Sequence, residues 1–258
     1  MISKCRVCST PIKKIAFNHK VLSHQVNFFE CVNCGFVQTE EPYWLEEAYQ
    51  SVINDCDTGI MFRNQINVGA VLSTKLFVSK TNDVVVDCAG GYGVLVRLLR
   101  DKGINALWSD PFCKNLFAVG LEYSNEKADL VTAFEAFEHF KEPILEAERL
   151  FEISPNVLLS TELIKKPVPK PSEWWYYGFN HGQHVSFYRE STFEYIAKKF
   201  NKHFVTDGRR YHFFSEKPLN KILWKTALKV SLIYPSLFRL GRKSKIWQDF
   251  NHLSQPST

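Results

Sequence analysis

The chain has 258 residues, of which 45% are hydrophobic, 14% aromatic and 23% charged; this is enough apolar material for a real core and excludes a disordered or low-complexity protein. Seven cysteines, an odd number, exclude a complete disulfide set, and "MISKCRVCST" lacks the apolar run of a signal peptide, so the expected setting is reducing and cytoplasmic, with thiols that bind metal or are simply buried. The net charge of +5 is uneven, because residues 208–245 hold ten Lys/Arg and a single Glu; this excludes a nucleic-acid surface spread over the body and leaves a local basic patch for phosphates or a membrane face.

Cys5 and Cys8, then Cys31 and Cys34, form two C-x2-C pairs separated by 22 residues. Each pair grips one side of a tetrahedral ion, and four thiolates close the shell without leaving a position for substrate, so residues 1–45 are expected to be a structural zinc ribbon whose spacer carries a loop insertion. Cys56, Cys88 and Cys113 have no partner at ligand spacing and are expected to be small buried side chains. Residues 46–80 read as a helical linker or cofactor lid, with a helix from about Gly59 to Val78.

From Asp83 short apolar strands alternate with helical segments: "DVVVDC", a helix near Val94 to Lys102, "INALWSD", "ADLVTAF", a helix near Ile144 to Phe151, then "NVLLSTEL". This alternation predicts an α/β fold, a Rossmann-like doubly wound and mainly parallel sheet over residues 81–215. In "STFEYIAKKF" Ser191 stands three residues before Glu194, a capping-box spacing, and "KHFVTDG" with "RRYHFFS" supplies closing strands. Residues 216–258 form a basic helical tail in which Lys221, Lys225 and Lys229 make one stripe, with Trp224, Leu228 and Leu232 opposite it as a face for interfacial binding. No eighteen-residue apolar run offers a transmembrane helix.

"VVVDCAGGYGVLVRLL" is an apolar strand, a tight turn and an apolar helix. Gly90, Gly91 and Gly93 let backbone approach a ligand, the helix N-terminus points free N–H groups at the same place, and Asp110 ends the next strand where a carboxylate can take both hydroxyls of a ribose. The absence of G-x-G-x-x-G/A and of a P-loop weakens nicotinamide and nucleotide-triphosphate readings. What remains, D-x-A-x-G-x-G from Asp87 through Ala89, resembles the first motif of class I S-adenosylmethionine-dependent methyltransferases, with Ala89 in place of the first glycine. "ADLVTAFEAFEHFKEP" resembles that family's fourth-strand motif, with Glu135, Glu138 and His139. "CRVC…CVNCGFVQ" resembles the zinc-binding domain ahead of sugar C-methyltransferases, and "WWYYGFNHGQHVSFY" is similar to a segment of bacterial surface-polysaccharide methyltransferases. The resemblance implies S-adenosylmethionine held by Asp87, Ala89, Gly90, Gly91, Gly93, Asp110, Phe112 and Phe134.

The aromatic stretch itself fits neither strand nor helix periodicity and reads as a shaped loop at the carboxyl ends of the strands. Trp174, Trp175, Tyr176 and Tyr177 are expected to stack on sugar rings, and Gln183 to fix an acceptor. His181 or His184 is expected to be the general base, with Glu135 or a loop tyrosine orienting the acceptor, while His139 is as readily a cap. The expected function is methyl transfer to a nucleotide- or polymer-linked sugar. The competing expectations are an RNA-base methyltransferase with a zinc ribbon, which would place basic residues around the cleft, and a cofactor-binding scaffold without turnover.

Overall fold

The computed structural model describes residues 3–12, 14–50, 57–79, 81–239 and 241–254, so Cys56 and the terminal "QPST" lie outside the described residues. In chain order the elements are β1 (Ser3–Lys4), β2 (Pro11–Ile12), β3 (Ile15–Val21), β4 (His24–Glu30), β5 (Val37–Thr39), α1 (Leu45–Ala48), α2 (Ile60–Thr74), β6 (Val84–Cys88), α3 (Val94–Asp101), β7 (Asn105–Ser109) and β8 (Leu130–Phe134). They continue as α4 (Pro143–Ile153), β9 (Val157–Ser160), β10 (Ser186–Phe187), α5 (Glu190–Lys199), β11 (His203–Thr206), β12 (Tyr211–Ser215), α6 (Lys221–Ile233) and α7 (Ile246–Leu253). The sheets run β1-β2, then β10-β5-β4-β3, then a six-stranded sheet ordered β11-β12-β9-β8-β6-β7. The chain divides into two compact units: Met1–Asn54, Glu135–Arg149 and Leu159–Phe214 form the first, and Asp55–Phe134, Leu150–Leu158 and Ser215–Thr258 the second.

In the first unit the 22 residues between the cysteine pairs are not a loop insertion. They hold β2 and the hairpin β3–β4, in which Val21 pairs with His24 across a two-residue turn. Val26 and Phe28 alternate inward from β4 and, with Val21, Val37, Trp44 and Tyr177, form the core of this unit. The aromatic loop completes the same sheet, because β10 pairs antiparallel with β5, Ser186 opposite Gln38 and Phe187 opposite Val37. At α5 the cap differs from the sequence expectation: Thr192 Oγ1 accepts from Arg189 N–H at 3.1 Å, while the Ser191 and Thr192 hydroxyls both donate to the carbonyl of Cys34. Ser191 is diverted from capping because the cysteine turn presents an acceptor that local sequence does not reveal.

The second unit is organised around β6, whose Val84, Val85 and Val86 are all buried, as expected for a strand covered on both faces. It pairs parallel with β7 and with β8, so the chain leaves β6 through α3 to one neighbour and then returns to the other. The carboxyl end of β6 is therefore a topological switch point, the place where open α/β sheets bind ligands.

Helix α6 packs on α2 through its Trp224, Leu228 and Ser231 side, and Trp224 Nε1–H donates to Thr74 Oγ1 at 3.2 Å. This corrects the expected interfacial face: Trp224 and Leu228 are core, and Leu232 is half-buried. Gly69 permits the packing, since a Cβ there would lie 2.4 Å from the Ser231 carbonyl oxygen. Gly69→Val should accordingly cost about 3 kcal/mol or more, read as a lowered Tm with a red-shifted Trp224 emission. Helix α7 is held by Asp249, buried between Arg100 and Arg97, each with a 2.7 Å contact to its carboxylate.

Candidate active site

The four N-terminal thiols converge in the first unit. Cys5 Sγ and Cys34 Sγ are 3.6 Å apart, Cys8 Sγ and Cys31 Sγ 3.5 Å apart, and all four lie within 4.8 Å of one another. A tetrahedral ion with sulfur ligands at about 2.3 Å sets sulfurs roughly 3.8 Å apart, so the donor set fits zinc. Each pair is turned by the same device: the residue after the second cysteine, Ser9 or Gly35, has positive φ, 60° or 79°, and its N–H donates to the carbonyl of the first cysteine, Cys5 or Cys31. Arg189 ties this turn to α5, reaching the Gly35 carbonyl at 3.0 Å and Glu30 at 3.0 Å.

In the second unit the glycine turn sits at the switch point. Gly93, at φ 86°, starts α3, and a Cβ there would meet Ala118 Cβ at 2.8 Å, which explains the glycine by both conformation and space. Gly91 N–H donates to Asp110 Oδ2 at 2.9 Å, while Phe112 and Cys113 N–H donate to Asp110 Oδ1 at 2.8 and 2.9 Å. Asp110 thus organises the turn and the loop after β7. Ala89 takes φ 58°, the left-handed region where the family motif has glycine. Phe112 is 78% exposed, and Phe134 ends β8 half-buried.

Asp87 is buried beneath this turn and accepts from Thr132 Oγ1–H at 2.6 Å, so it braces β6 against β8 rather than facing a ligand openly. Burial pushes its carboxyl up to about 7, against the Thr132 hydrogen bond and with the Asp110 charge adding. A carboxyl with a raised pKa in the fold binds more protons than the unfolded chain between about 4 and 7, so this group's contribution to stability falls as pH rises through that window. The buried histidines act oppositely below about 6.5. Asp87→Asn should therefore make Tm fall less, or rise more, between pH 5 and 7.5 than in the parent, measured by calorimetry.

The remaining predicted residues gather in the first unit. Tyr176, 2% exposed, donates its hydroxyl to Glu138 Oε1 at 2.6 Å, with Glu135 Oε2 at 3.4 Å and Thr161 Oγ1 at 3.3 Å. Glu135 has φ 49°, an uncommon conformation for a side-chain-bearing residue, and is held by Ser160, whose hydroxyl donates to Oε1 at 2.6 Å. Burial, with Glu135 adding, pushes Glu138 up to about 8. His184 Nδ1 lies 2.6 Å from the Tyr176 carbonyl, so Nδ1–H donates there and the neutral ring keeps its lone pair on Nε2. His181 is the opposite case: its Nδ1 accepts from Gln183 N–H at 3.2 Å, which puts its proton on Nε2. Nε2 of His181 packs over Gly178, φ 64°, where a Cβ would come within 2.3 Å of it.

The three imidazoles adjoin, His139 to His184 with ring centroids 4.9 Å apart and His181 to His184 at 4.7 Å. Burial lowers all three: His139 falls to about 4, with His181 adding, and His184 falls well below the ordinary value, with His139 and His181 adding. Each is neutral at pH 7, as a proton acceptor must be. One donor atom from each of Glu138, His139 and His184 lies within 4.8 Å of the others, which shows how compact the cluster is.

Not every aromatic of the loop is free for an acceptor. Tyr177 is a core ring whose hydroxyl donates to the Pro169 carbonyl at 2.7 Å, and Trp174 packs edge-on against it. Gln183 is buried, with its Nε2–H donating to the Ala48 carbonyl at 2.9 Å. Trp175, 77% exposed, is the open ring of the group, set edge-on to Tyr176. Sequence reading missed Tyr49, whose hydroxyl lies 3.0 Å from His139 Nδ1. It also underweighted Glu138, which the fourth-strand motif already displayed. Cys88 and Cys113 are half-buried and free.

A family profile described as a methyltransferase domain matches residues 69–206, more than half of the chain. The chain belongs to the methyltransferase-domain family, and its sheet order and glycine turn are those of the Rossmann-like class I fold. No curated protein sequence matches the chain.

Among solved structures, TnmH aligns over 67% of this chain and 61% of its own at 12% identity, with a TM-score of 0.44. The 1,6-didemethyltoxoflavin-N1-methyltransferase of Burkholderia thailandensis, solved with bound 1,6-didemethyltoxoflavin and S-adenosylhomocysteine, aligns over 76% of this chain and 96% of its own at 12% identity and TM-score 0.47. The plantazolicin methyltransferase BpumL, solved with S-adenosylhomocysteine, aligns over 74% and 87% at 14% identity and TM-score 0.46. The chain spans 61% of the length of TnmH and 44% of that of OxaC.

Proposed function

We propose that the protein moves a methyl group from S-adenosylmethionine to an oxygen, carbon or nitrogen nucleophile on a nucleotide- or polymer-linked sugar of polysaccharide biosynthesis, with His184 as the base. The observation that carries the donor assignment is the glycine turn at the β6 switch point, tied through Gly91 N–H to Asp110. A sulfonium-bearing nucleoside fits a site that combines close backbone approach with one carboxylate for ribose hydroxyls. In the reaction the acceptor lone pair forms a bond to the methyl carbon, the carbon–sulfur bond breaks, and its electron pair neutralises the sulfonium to give S-adenosylhomocysteine. The acceptor proton goes to His184 Nε2, whose lone pair is free because Nδ1–H is held by the Tyr176 carbonyl. Glu135 orients the acceptor, Tyr176 holds Glu138 through its hydroxyl, and Trp175 offers the face on which a sugar ring stacks.

The sugar assignment is supported by that exposed indole beside a polar, water-excluding cluster. Zinc, if held by Cys5, Cys8, Cys31 and Cys34, has no open position and therefore supplies structure alone.

The test is calorimetric titration of the purified protein with S-adenosylmethionine and with NADH, repeated on Asp110→Ala. Micromolar binding of S-adenosylmethionine alone, weakened at least tenfold in Asp110→Ala, is expected, because the variant loses both the ribose contact and the tie to Gly91. Binding of neither compound would overturn the donor assignment. With the donor established, a panel of nucleotide sugars and an RNA acceptor, followed by S-adenosylhomocysteine release, separates the sugar reading from the RNA one.

A further inference from the structure

Helix α6 leaves an apolar face exposed that is not the one it packs with. Ile222, Leu223 and Ile233 are 75%, 60% and 64% exposed, and Tyr234 and Leu237, just past the helix end, are 61% and 67% exposed. At about 100° per residue, Ile222, Ile233, Val230 and Leu223 fall within one arc of roughly 100–120°, while the packed residues Trp224, Leu228 and Ser231 occupy the far side. Between the two runs the lysine stripe, Lys221, Lys225 and Lys229. The helix therefore has three sides: one docked on α2, one cationic and one apolar and bare.

We propose that this third side is a docking surface for an anionic lipid bilayer, on which α6 lies in the plane of the interface. The charge names the occupant, because residues 217–245, which contain α6, carry eight Lys/Arg and no Asp or Glu, so the apolar arc is offered beside positive charge. A second copy of the chain would bring the same positive field to the contact and be repelled at it. Aromatic and aliphatic side chains beside lysines match a bilayer's layered chemistry: rings and alkyl groups enter the acyl boundary while ammonium groups remain among headgroup phosphates. Helix α6 has 13 residues, and no helix among the described residues is long and apolar enough to cross a membrane, so the contact is peripheral. Such a surface would hold the enzyme where lipid-linked acceptors are presented, but the proposal stands whether or not the acceptor is a sugar.

The experiment is co-sedimentation of the full chain with vesicles of phosphatidylcholine containing about 30% phosphatidylserine, and with pure phosphatidylcholine, at low and high salt. Binding to the anionic vesicles is expected, at least tenfold weaker on neutral vesicles and at high salt. Leu223→Ser with Ile233→Ser should abolish it while leaving the Tm unchanged, because both side chains are already in water. Lys221→Gln, Lys225→Gln and Lys229→Gln together should remove the preference for anionic lipid. Absence of binding to either vesicle overturns the proposal. So does equal, salt-insensitive binding to both, or salt-sensitive binding to RNA without binding to vesicles. A lipid-free dimer that the serine variants dissociate overturns it as well, by assigning the face to a second copy.

Discussion

If the four thiols hold zinc, Cys34→Ser should release it and unfold the first unit. Free energies of structural zinc sites run to about 10–16 kcal/mol in small zinc peptides, comparable to or larger than the 5–15 kcal/mol that ordinarily separates a folded domain from its unfolded chain. Here the loss reaches beyond the thiol. The carbonyl of Cys34 accepts from both Ser191 and Thr192, so the cysteine turn also positions the first turn of α5. Arg189 links the Gly35 carbonyl to Glu30, and β10 of the aromatic loop pairs with β5 just beyond the second cysteine pair. Loosening the thiol cluster therefore frees the strand that follows His184. The expected result is less than a tenth of a zinc per chain by elemental analysis, with a Tm lowered by more than 10 °C or a transition lost altogether. Chelation of the parent should reproduce it. Cys113→Ser, a half-buried cysteine outside the cluster, is the control and should leave both readings unchanged. One zinc retained with a Tm within a few degrees of the parent would remove the cysteine pairs from the fold's supports.

The second unit was legible because its signals are local. Three consecutive buried valines, a glycine turn and an apolar helix follow one another in sequence, and each says the same thing about β6. The hairpin between the cysteine pairs is also written in the chain, as alternation at Val26 and Phe28, but two such positions are too few to distinguish a hairpin from a loop insertion in the spacer. The aromatic loop was harder. Tyr176 and Tyr177 are adjacent and chemically identical, yet one faces Glu138 while the other fills the core with Phe17, Phe28 and Phe187. Only the 3-10 turn Trp175–Tyr177 decides which ring goes where, and no periodicity forecasts it. Gln183 looked like an acceptor contact and is instead a strut to α1, because a buried amide must find partners and the Ala48 carbonyl is the one in reach. The basic tail misled for a related reason: an amphipathic helix has one apolar face by sequence, whereas α6 has two, and tertiary packing chose Trp224 and Leu228 for the core.

The two loop histidines, equal candidates by sequence, separate on hydrogen bonding. A neutral imidazole has one N–H and one lone pair, and each ring declares its tautomer by the partner of Nδ1. For His184 that partner is a carbonyl, which can only accept; for His181 it is a backbone N–H, which can only donate. His184 therefore keeps its lone pair on Nε2 for an incoming proton, while His181 has its own engaged. His184→Ala should lower kcat by about 10²–10⁴, the usual range for a general base, with S-adenosylmethionine affinity within about threefold of the parent by calorimetry. His181→Ala should reduce kcat by less than about tenfold, through disturbed packing over Gly178 rather than lost chemistry. The pH profile adds an independent reading. Burial and the neighbouring imidazoles hold His184 well below its ordinary pKa. The active neutral form then persists as pH falls through 6, and the acid limb of kcat should lie below that of an exposed histidine near 6.5. If His181→Ala proves the more damaging change, or if both variants turn over within a few fold of the parent, proton removal does not run through Nε2 of His184 and the tautomer argument fails with it.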